Sequence, residues 1–534
     1  MISSSNTLNK KKAVWVEKTG LIEIVVLLFK RLFCNIKVYY NEHQVTQSAG
    51  KVLKLIEKIN TLKIFFPADL SFAKKNERGY SLTYQAQKNL NICLEEFCSK
   101  FIPDEPDWYK QMTKSYLSSC IYNRIKFIVM VEVKVIECMD VQHELLLKRH
   151  PVNSLVINFH KGGNFHIRQT VSINEYLKIM IKPLYYIIMT FLFQVVGGRI
   201  KSDITEPRPS IWVETFYGML TNKHNMIFWR DYVNFKEFDL VYYFDRPDTP
   251  LNKEFIKIIK ERGNKYIDCS RIYKLSKLGI KNIFILLLFI FRVNVKQPFW
   301  FHVFKMQYAV LYRIYLSIYK EYQVKILFQH QEDVWETAVQ ARAIEDAGGI
   351  MIGYHWSVFY LTTEPQLIAP QHVYFVWGNI SYEWLQKNGN TCKYILPSGI
   401  WVVRGNAPEV ELSSFRNSLD FVLAIFDSGL ARYSSPIDLS MFYLRIIELL
   451  ERNSTWGGIV KSKSYELEDI FSIPHGIEIY KKMKNLIDKR RLVFLDPSVS
   501  PVTASSYADL SVCSTIQSAG ILAAGFNNKV IHHD

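Results

Sequence analysis

The sequence predicts an α/β protein made of two Rossmann-like parallel-sheet units. Three observations predict it. Short apolar runs such as Leu-Val-Tyr-Tyr-Phe at 240–244, Phe-Val-Leu-Ala-Ile-Phe at 421–426 and Leu-Ser-Val-Cys at 510–513 are bounded by turn formers, as strands buried on both faces are. They alternate with helical stretches at the spacing of right-handed strand–helix–strand units. The segments directly after the runs collect the polar, hydroxyl-bearing and glycine residues. In open parallel sheets ligands bind outside the carboxyl ends of the strands, so these segments form the candidate list for chemistry.

Residues 1–12 are polar and read as a loose tail. A strand at 13–16, an apolar helix over 22–33, a strand at 36–40, a helix over 51–59 and a strand at 64–66 open the chain. From 81 to 147 the pattern turns helical, broken by Pro103-Asp-Glu-Pro106. Strands are expected at 154–159, 211–213, 239–244 and 265–267, the last after a helix that Gly263 ends. Residues 272–322 read as helical and aromatic-rich. Strands at 324–328, 350–352, 373–376 and 394–396 follow, with a helix over 337–347 closed by Gly348-Gly349.

A linker-like stretch at 403–414 separates 13–402, one α/β unit with helical insertions, from 403–534, a second and shorter one. The second unit has strands at 421–426, 458–460, 492–495, 510–513 and 530–531, with helices over 439–451, 477–488 and the small-residue segment after 514. The chain reaches Asp534 directly after a strand, so this unit is expected to be incomplete.

The 534 residues carry a net charge of +16, which calls for an acidic partner. Only short basic clusters occur, Lys10-Lys-Lys12 and Lys489-Arg-Arg491, so nucleic acid is the weakest candidate behind nucleotide phosphates and anionic lipid. The eight cysteines are scattered without Cys-x-x-Cys spacing and read as reduced, mostly buried thiols of a cytosolic protein. Residues 176–196 are apolar but contain Lys178, Lys182 and Pro183, while 283–291 is apolar over too few residues to span a bilayer. Each is expected to be a buried or interface-lying helix, leaving a cytoplasmic protein with peripheral contact to an anionic membrane.

In the second unit, Asp427, Ser428 and Gly429 follow one strand, Lys461 closes the next, and Ser514, Thr515, Ser518, Ala519 and Gly520 open a helix. A helix N-terminus with hydroxyls and near-bare backbone can cradle a phosphate, and Lys461 can pair with a diphosphate. The same residues also fit a plain helix cap and a solvated lysine. In the first unit His330, Glu332, Asp333, Glu336 and His355 supply acid/base groups. Glu336 and His355 are the candidate catalytic pair. No Walker loop, no Gly-x-Gly-x-x-Gly after the first strand, no His-Glu-x-x-His and no Gly-x-Ser-x-Gly occurs. There is also no Asp-x-Asp, so no metal–diphosphate site of that kind is indicated.

Three stretches carry a resemblance. They are Val334-Trp-Glu336 with Gly353-Tyr-His-Trp-Ser357, Trp377-Gly378 with Leu396-Pro-Ser-Gly399, and Ala508-Asp-Leu-Ser-Val-Cys-Ser-Thr-Ile-Gln-Ser-Ala-Gly520 with Val530-Ile-His-His-Asp534. Together they resemble the GT-B-fold glycosyltransferases, and among them bacterial surface-polysaccharide (capsule or O-antigen) biosynthesis proteins. The resemblance implies a metal-independent transferase. A nucleotide-sugar would be its substrate, with no cofactor, and a growing glycan or lipid-linked acceptor would sit on the first unit. The sequence departs from that pattern in having no acidic residue in the helix after the small-residue turn, where many such sites hold the ribose. Two alternatives stand beside it: a polyol-phosphate transferase using a CDP-activated donor, and a degenerate, non-catalytic transferase-like subunit.

Overall fold

The structure, a computed structural model, describes residues 12–16, 36–40, 65–67, 82–136, 142–147, 165–169, 207–214, 237–244, most of 253–268, and most of 298–532 in segments. Isolated positions such as Ile24, Val156 and Ile181 are described as well. The strands fall into three sheets, and every strand pair is parallel. The α/β class and the parallel, Rossmann-like character of the sheets are therefore as expected.

The first sheet holds β1 (Lys12–Val16), β2 (Ile36–Tyr40), β3 (Phe65–Pro67), β4 (Gln142–Leu147) and β5 (Phe165–Gln169) in the order β3-β2-β1-β4-β5. Between β3 and β4 run two helices, α1 (Leu82–Phe101) and α2 (Asp107–Ile136). Pro103 and Pro106 separate them, since neither proline can donate to a continuing helix; the Pro106 carbonyl instead accepts from Tyr109 N at 2.9 Å. The helical pattern expected to reach 147 ends sooner, because Leu145 and Leu147 are buried in β4. Residues 154–159 were expected as a strand; only Val156 is described there, and it is helical and buried. An apolar run of that length fits either state by periodicity alone.

The second sheet has seven strands: β6 (Ser210–Glu214), β7 (Asp239–Phe244), β8 (Lys265–Asp268), β9 (Val324–Gln329), β10 (Ile350–Tyr354), β11 (Val373–Val376) and β12 (Tyr394–Pro397). Their order is β12-β11-β10-β9-β6-β7-β8. Four helices belong with it: α3 (Lys253–Glu261), α4 (Phe299–Glu321), α5 (Trp335–Asp346) and α6 (Asn379–Lys387). α5 stops at Gly348, whose φ of +80° is a left-handed conformation that glycine reaches without a Cβ penalty. One aromatic core joins this unit to the first. It runs from Trp15 and Leu145 of the first sheet, through Phe97, Tyr109 and Tyr116 on α1 and α2, to Trp300, Phe304 and Trp335 on α4 and α5. The Tyr116 and Phe304 rings stack at 4.1 Å, and Trp335 meets both edge-on. Residues 13–402 thus contain two sheets sharing a core.

The third sheet holds β13 (Phe421–Phe426), β14 (Trp456–Lys461), β15 (Leu492–Leu495), β16 (Leu510–Cys513) and β17 (Lys529–His532), ordered β15-β14-β13-β16-β17. α8 (Pro436–Arg452) and α9 (Gly476–Asp488) cover one face over a core of Leu423, Ile425, Tyr443, Ile447 and Met483. On the other face lie α7 (Ser413–Asn417), α10 (Pro501–Ser506) and α11 (Ser518–Gly525), over Val422, Ala424, Phe426 and Ala504. Leu412 is buried in that core too, so part of the expected linker packs with the last sheet. α10 was missed in the sequence. Pro501 at its first turn and the Ser500 hydroxyl accepting from Val502 N at 3.3 Å explain why the helix starts there.

Candidate functional site

The third sheet carries the site. Numbered within the sheet, its strands run 3-2-1-4-5, so the order reverses between β13 and β16. In doubly wound sheets the loops leaving these two strands part company, one to each face, and open a crevice at their carboxyl ends. The register aligns those ends in a row: Leu495, Lys461, Phe426, Cys513 and His532 are cross-strand neighbours. Asp427, Ser462 and Ser514 are the next residues out. The sheet therefore brings three sequence-predicted groups, Asp427, Lys461 and Ser514, to one edge, and all three are buried.

Asp427 faces inward. Its Oδ2 accepts from the Tyr443 hydroxyl at 2.6 Å and from the Tyr465 hydroxyl at 2.7 Å, and the two hydroxyls lie 2.6 Å apart. Tyr443 comes from α8 and Tyr465 from the loop after β14, so one carboxylate oxygen ties the ends of two neighbouring strands to the covering helix. Burial, and after it the Asp427 charge, pushes both phenols far above their ordinary range. They remain proton donors throughout the physiological range. Nothing in the local sequence singles out Tyr443 or Tyr465, because both read as core aromatics.

Lys461 ends β14 with 7% of its surface exposed, and its Nζ donates to the Ser462 carbonyl. Ser462, itself fully buried, donates to the Tyr465 carbonyl at 2.5 Å. Lys461 thus places its amine at a strand end beside the crossover.

Across the crossover, the Phe426 carbonyl accepts from Ser514 N and from the Gln517 side chain, both at 2.9 Å. Gln517 lies within the predicted small-residue segment but was not itself a candidate; it pins the start of α11 to the central strand. Ser518 and Ala519 form the first turn of α11 and are half-buried. Gly520 has a packing role: a Cβ there would meet Cys513 Sγ at 2.6 Å and His532 Cε1 at 2.7 Å. Only a hydrogen lets α11 lie this close to β16 and β17. The Cys513 thiol is pushed up to about 12 by burial, opposed by its hydrogen bond with Gln517, so it is not a nucleophile.

Of the other predicted residues, Ser428, Gly429, Thr515 and His355, with His330, Glu332 and Asp333, lie outside the described residues. Glu336 occupies the first turn of α5, half-buried, next to the buried Trp335. Its charge is felt by the Tyr116 phenol, which places it against the aromatic core of the first two sheets. Among the described residues no cluster of three or more His, Cys, Asp or Glu is placed to hold a metal ion.

No family model matches the chain, and no curated protein does. Solved structures similar to it include a Staphylococcus aureus MnaA–UDP complex. That match has 9% identity and a TM-score of 0.35, and covers 60% of this chain and 78% of that one. Phytolacca americana UGT2, complexed with UDP-2-fluoro-glucose and pterostilbene, is 12% identical over 61% of this chain and 80% of its own, at a TM-score of 0.34. A Neisseria meningitidis UDP-GlcNAc 2-epimerase bound to UDP-GlcNAc is 10% identical over 57% and 77%, at 0.32. Scores this low carry no assignment. Strand order and the groups at the crossover stand on their own.

Proposed function

We propose that the chain is a GT-B-like glycosyltransferase. In this reading it transfers a sugar from a nucleotide-activated donor, held by residues 403–534, to a surface glycan or lipid-linked acceptor held by residues 13–402. The observation that supports it is the row at the β13–β16 crossover: Lys461, Asp427 and Ser514 at adjacent strand ends, with the first turn of α11 pinned beside them. There the helix N–H groups and Ser514 face a diphosphate, and Lys461 neutralises its charge as the bond to the sugar breaks. Asp427 acts through Tyr443 and Tyr465 to hold the loop ends in place. Glu336 and His355 remain the proposed acid/base groups, and no metal or cofactor enters the scheme.

Calorimetry of the full chain with UDP, UDP-glucose and UDP-N-acetylglucosamine, extended to other nucleoside diphosphates, tests the donor site. Binding that Lys461→Met weakens at least tenfold supports it; a chain that binds none of them defeats it. A second reading, a transferase-like subunit without turnover, has one observation in its favour. Asp427 and Lys461 are both engaged by neighbouring groups rather than displayed. Nucleotide binding without any donor consumption in the presence of glycan acceptors would select it.

A cytoplasmic location against an anionic membrane surface belongs to the same proposal. No described helix is long and apolar enough to cross a membrane. Ile181, Tyr185 and Ile188 are helical, four and three residues apart, and each is about half exposed. That spacing puts them on one helix face. With a net charge of +16, an apolar stripe of this kind fits an anionic lipid surface.

A further inference from the structure

We infer that the crossover of the seven-stranded sheet is a second ligand site, built on Glu214, Gln329 and Gln371, and that it takes a saccharide. The site stands on its own geometry; naming its ligand the acceptor rests on the glycosyl transfer proposed above.

The three sheets share one strand order, counted within each sheet as 3-2-1-4-5, and the middle sheet continues it to 6 and 7. Each therefore has a crossover between its first and fourth strands, and the three can be compared within one molecule. In the first sheet the last crossover pair is Val16 with Leu146; the next residue of β4, Leu147, is fully buried, and residue 17 lies outside the described residues. In the middle sheet the last crossover pair is Val213 with Phe328, and the next residues, Glu214 and Gln329, are each 2% exposed.

The register places them side by side. Val213 pairs with Phe328, so Glu214 and Gln329 follow as neighbours; Glu214 also pairs with Tyr243, and Gln329 with Gly353. Side chains alternate along strands, so Glu214 and Gln329 share the sheet face of Trp212 and Leu327. The row continues from Gly353 to Tyr374. Beside Gly353 lies Gln371, fully buried, with its Cγ 2.8 Å from where a glycine Cβ would stand. Among the described residues Gln329 Oε1 has no hydrogen-bond partner, and neither does the amide oxygen or nitrogen of Gln371. Three amide atoms buried next to the same strand, one of Gln329 and two of Gln371, are therefore left unsatisfied.

Buried amides in this state are uncommon and call for a bound group. Between them they offer two acceptors and one donor, next to a carboxylate. An anion would meet Glu214 and two carbonyl oxygens, and an apolar ligand would leave the amides unsatisfied. A saccharide fits, since each hydroxyl both donates and accepts. This crossover is the counterpart, in the middle sheet, of the Asp427–Ser514 crossover in the third.

Saturation-transfer NMR on the full chain, with and without UDP, tests the inference. The probes are the methyl glycosides of glucose, galactose and N-acetylglucosamine. At least one is expected to bind, and Gln329→Leu and Gln371→Met are each expected to weaken it at least tenfold. UDP binding should be unchanged and hydrogen-exchange protection of β9 and β10 unchanged or raised, because an unsatisfied buried amide has been removed. Binding that persists in both variants, or a wild-type chain that binds none of the probes, overturns the inference; buried water would then account for the amides. If a glycoside binds and is lost in the variants but no nucleotide binds, the saccharide site stands and its role as an acceptor site falls.

Discussion

Removing the Tyr443 and Tyr465 hydroxyls, singly and together, tests the role given to Asp427. Its Oδ2 takes two phenols at 2.6 and 2.7 Å in a fully buried setting. A hydrogen bond to a charged group contributes about 1.5–3 kcal/mol. Either Tyr443→Phe or Tyr465→Phe leaves the other phenol on the same oxygen, so each single variant is expected to cost about 1.5–3 kcal/mol. The double variant strips both phenols from a buried carboxylate, and stranding such a charge costs about 3–5 kcal/mol. Since the hydroxyls also touch each other at 2.6 Å, the two substitutions should be coupled by about 0.5–3 kcal/mol. A chain of this length does not unfold in two states, so the assay is native-state hydrogen exchange read on peptides covering β13, α8 and β14. Protection should fall in those peptides and stay unchanged in β9 and α5. If the double variant loses less than about 1 kcal/mol there, below what one charged hydrogen bond contributes, Asp427 is not held by the tyrosines and its proposed positioning role is refuted.

Three further outcomes are expected. Gly520→Ala drives a methyl against Cys513 Sγ and His532 Cε1, so the third sheet should lose about 1–3 kcal/mol by hydrogen exchange and nucleotide binding should weaken with it. Burial pushes the Cys93 thiol up to about 12, Cys98 up to about 11 and Cys513 up to about 12, from an ordinary value of 9.0. The native chain keeps these protons while the unfolded chain sheds them. Stability is thus fully present below pH 9 and falls by about 1.4 kcal/mol per pH unit per thiol above it. Cys93→Ala should shallow the pH 9–11 denaturation profile. Replacing Ile181 and Tyr185 together by Asp should abolish co-sedimentation with phosphatidylglycerol vesicles, and high salt should weaken it in the native chain; equal binding by the variant refutes the membrane face.

Much of the fold was legible because its strands are fully buried and punctuated. The expected strand at 421–426 coincides with Phe421–Phe426, and that at 373–376 with Val373–Val376. What misled was ambiguity of period. Residues 142–147, Gln-His-Glu-Leu-Leu-Leu, continue a helical stretch without a breaker, and only pairing with β1 shows them to be a strand. In the site, the sequence marked the strand ends Asp427, Lys461 and Ser514 because the carboxyl-end rule depends only on strand position. Tyr443 and Tyr465 were invisible for the opposite reason. Their role comes from a hydrogen bond spanning 38 residues between Tyr465 and Asp427 and 16 between Tyr443 and Asp427, and no local pattern encodes it. Glu214 was passed over because the apolar core of its strand reads as ending at Val213.

The crossovers of the second and third sheets can be compared position by position. At β1–β4 the last pair is Val16 with Leu146, and the unit contributes aromatic helices, α1 and α2, to a core shared with the second sheet. At β6–β9 and β13–β16 the residues directly after the last pair are Glu214 with Gln329 and Asp427 with Ser514, all buried. The two polar pairs differ in how they are satisfied: Asp427 is held within the fold by Tyr443 and Tyr465, whereas Gln329 Oε1 has no partner among the described residues. A buried polar atom left unpaired costs stability until something binds it. Gln329→Leu should therefore raise hydrogen-exchange protection in β9 and remove glycoside binding; protection that falls instead would show the amide to be a structural group.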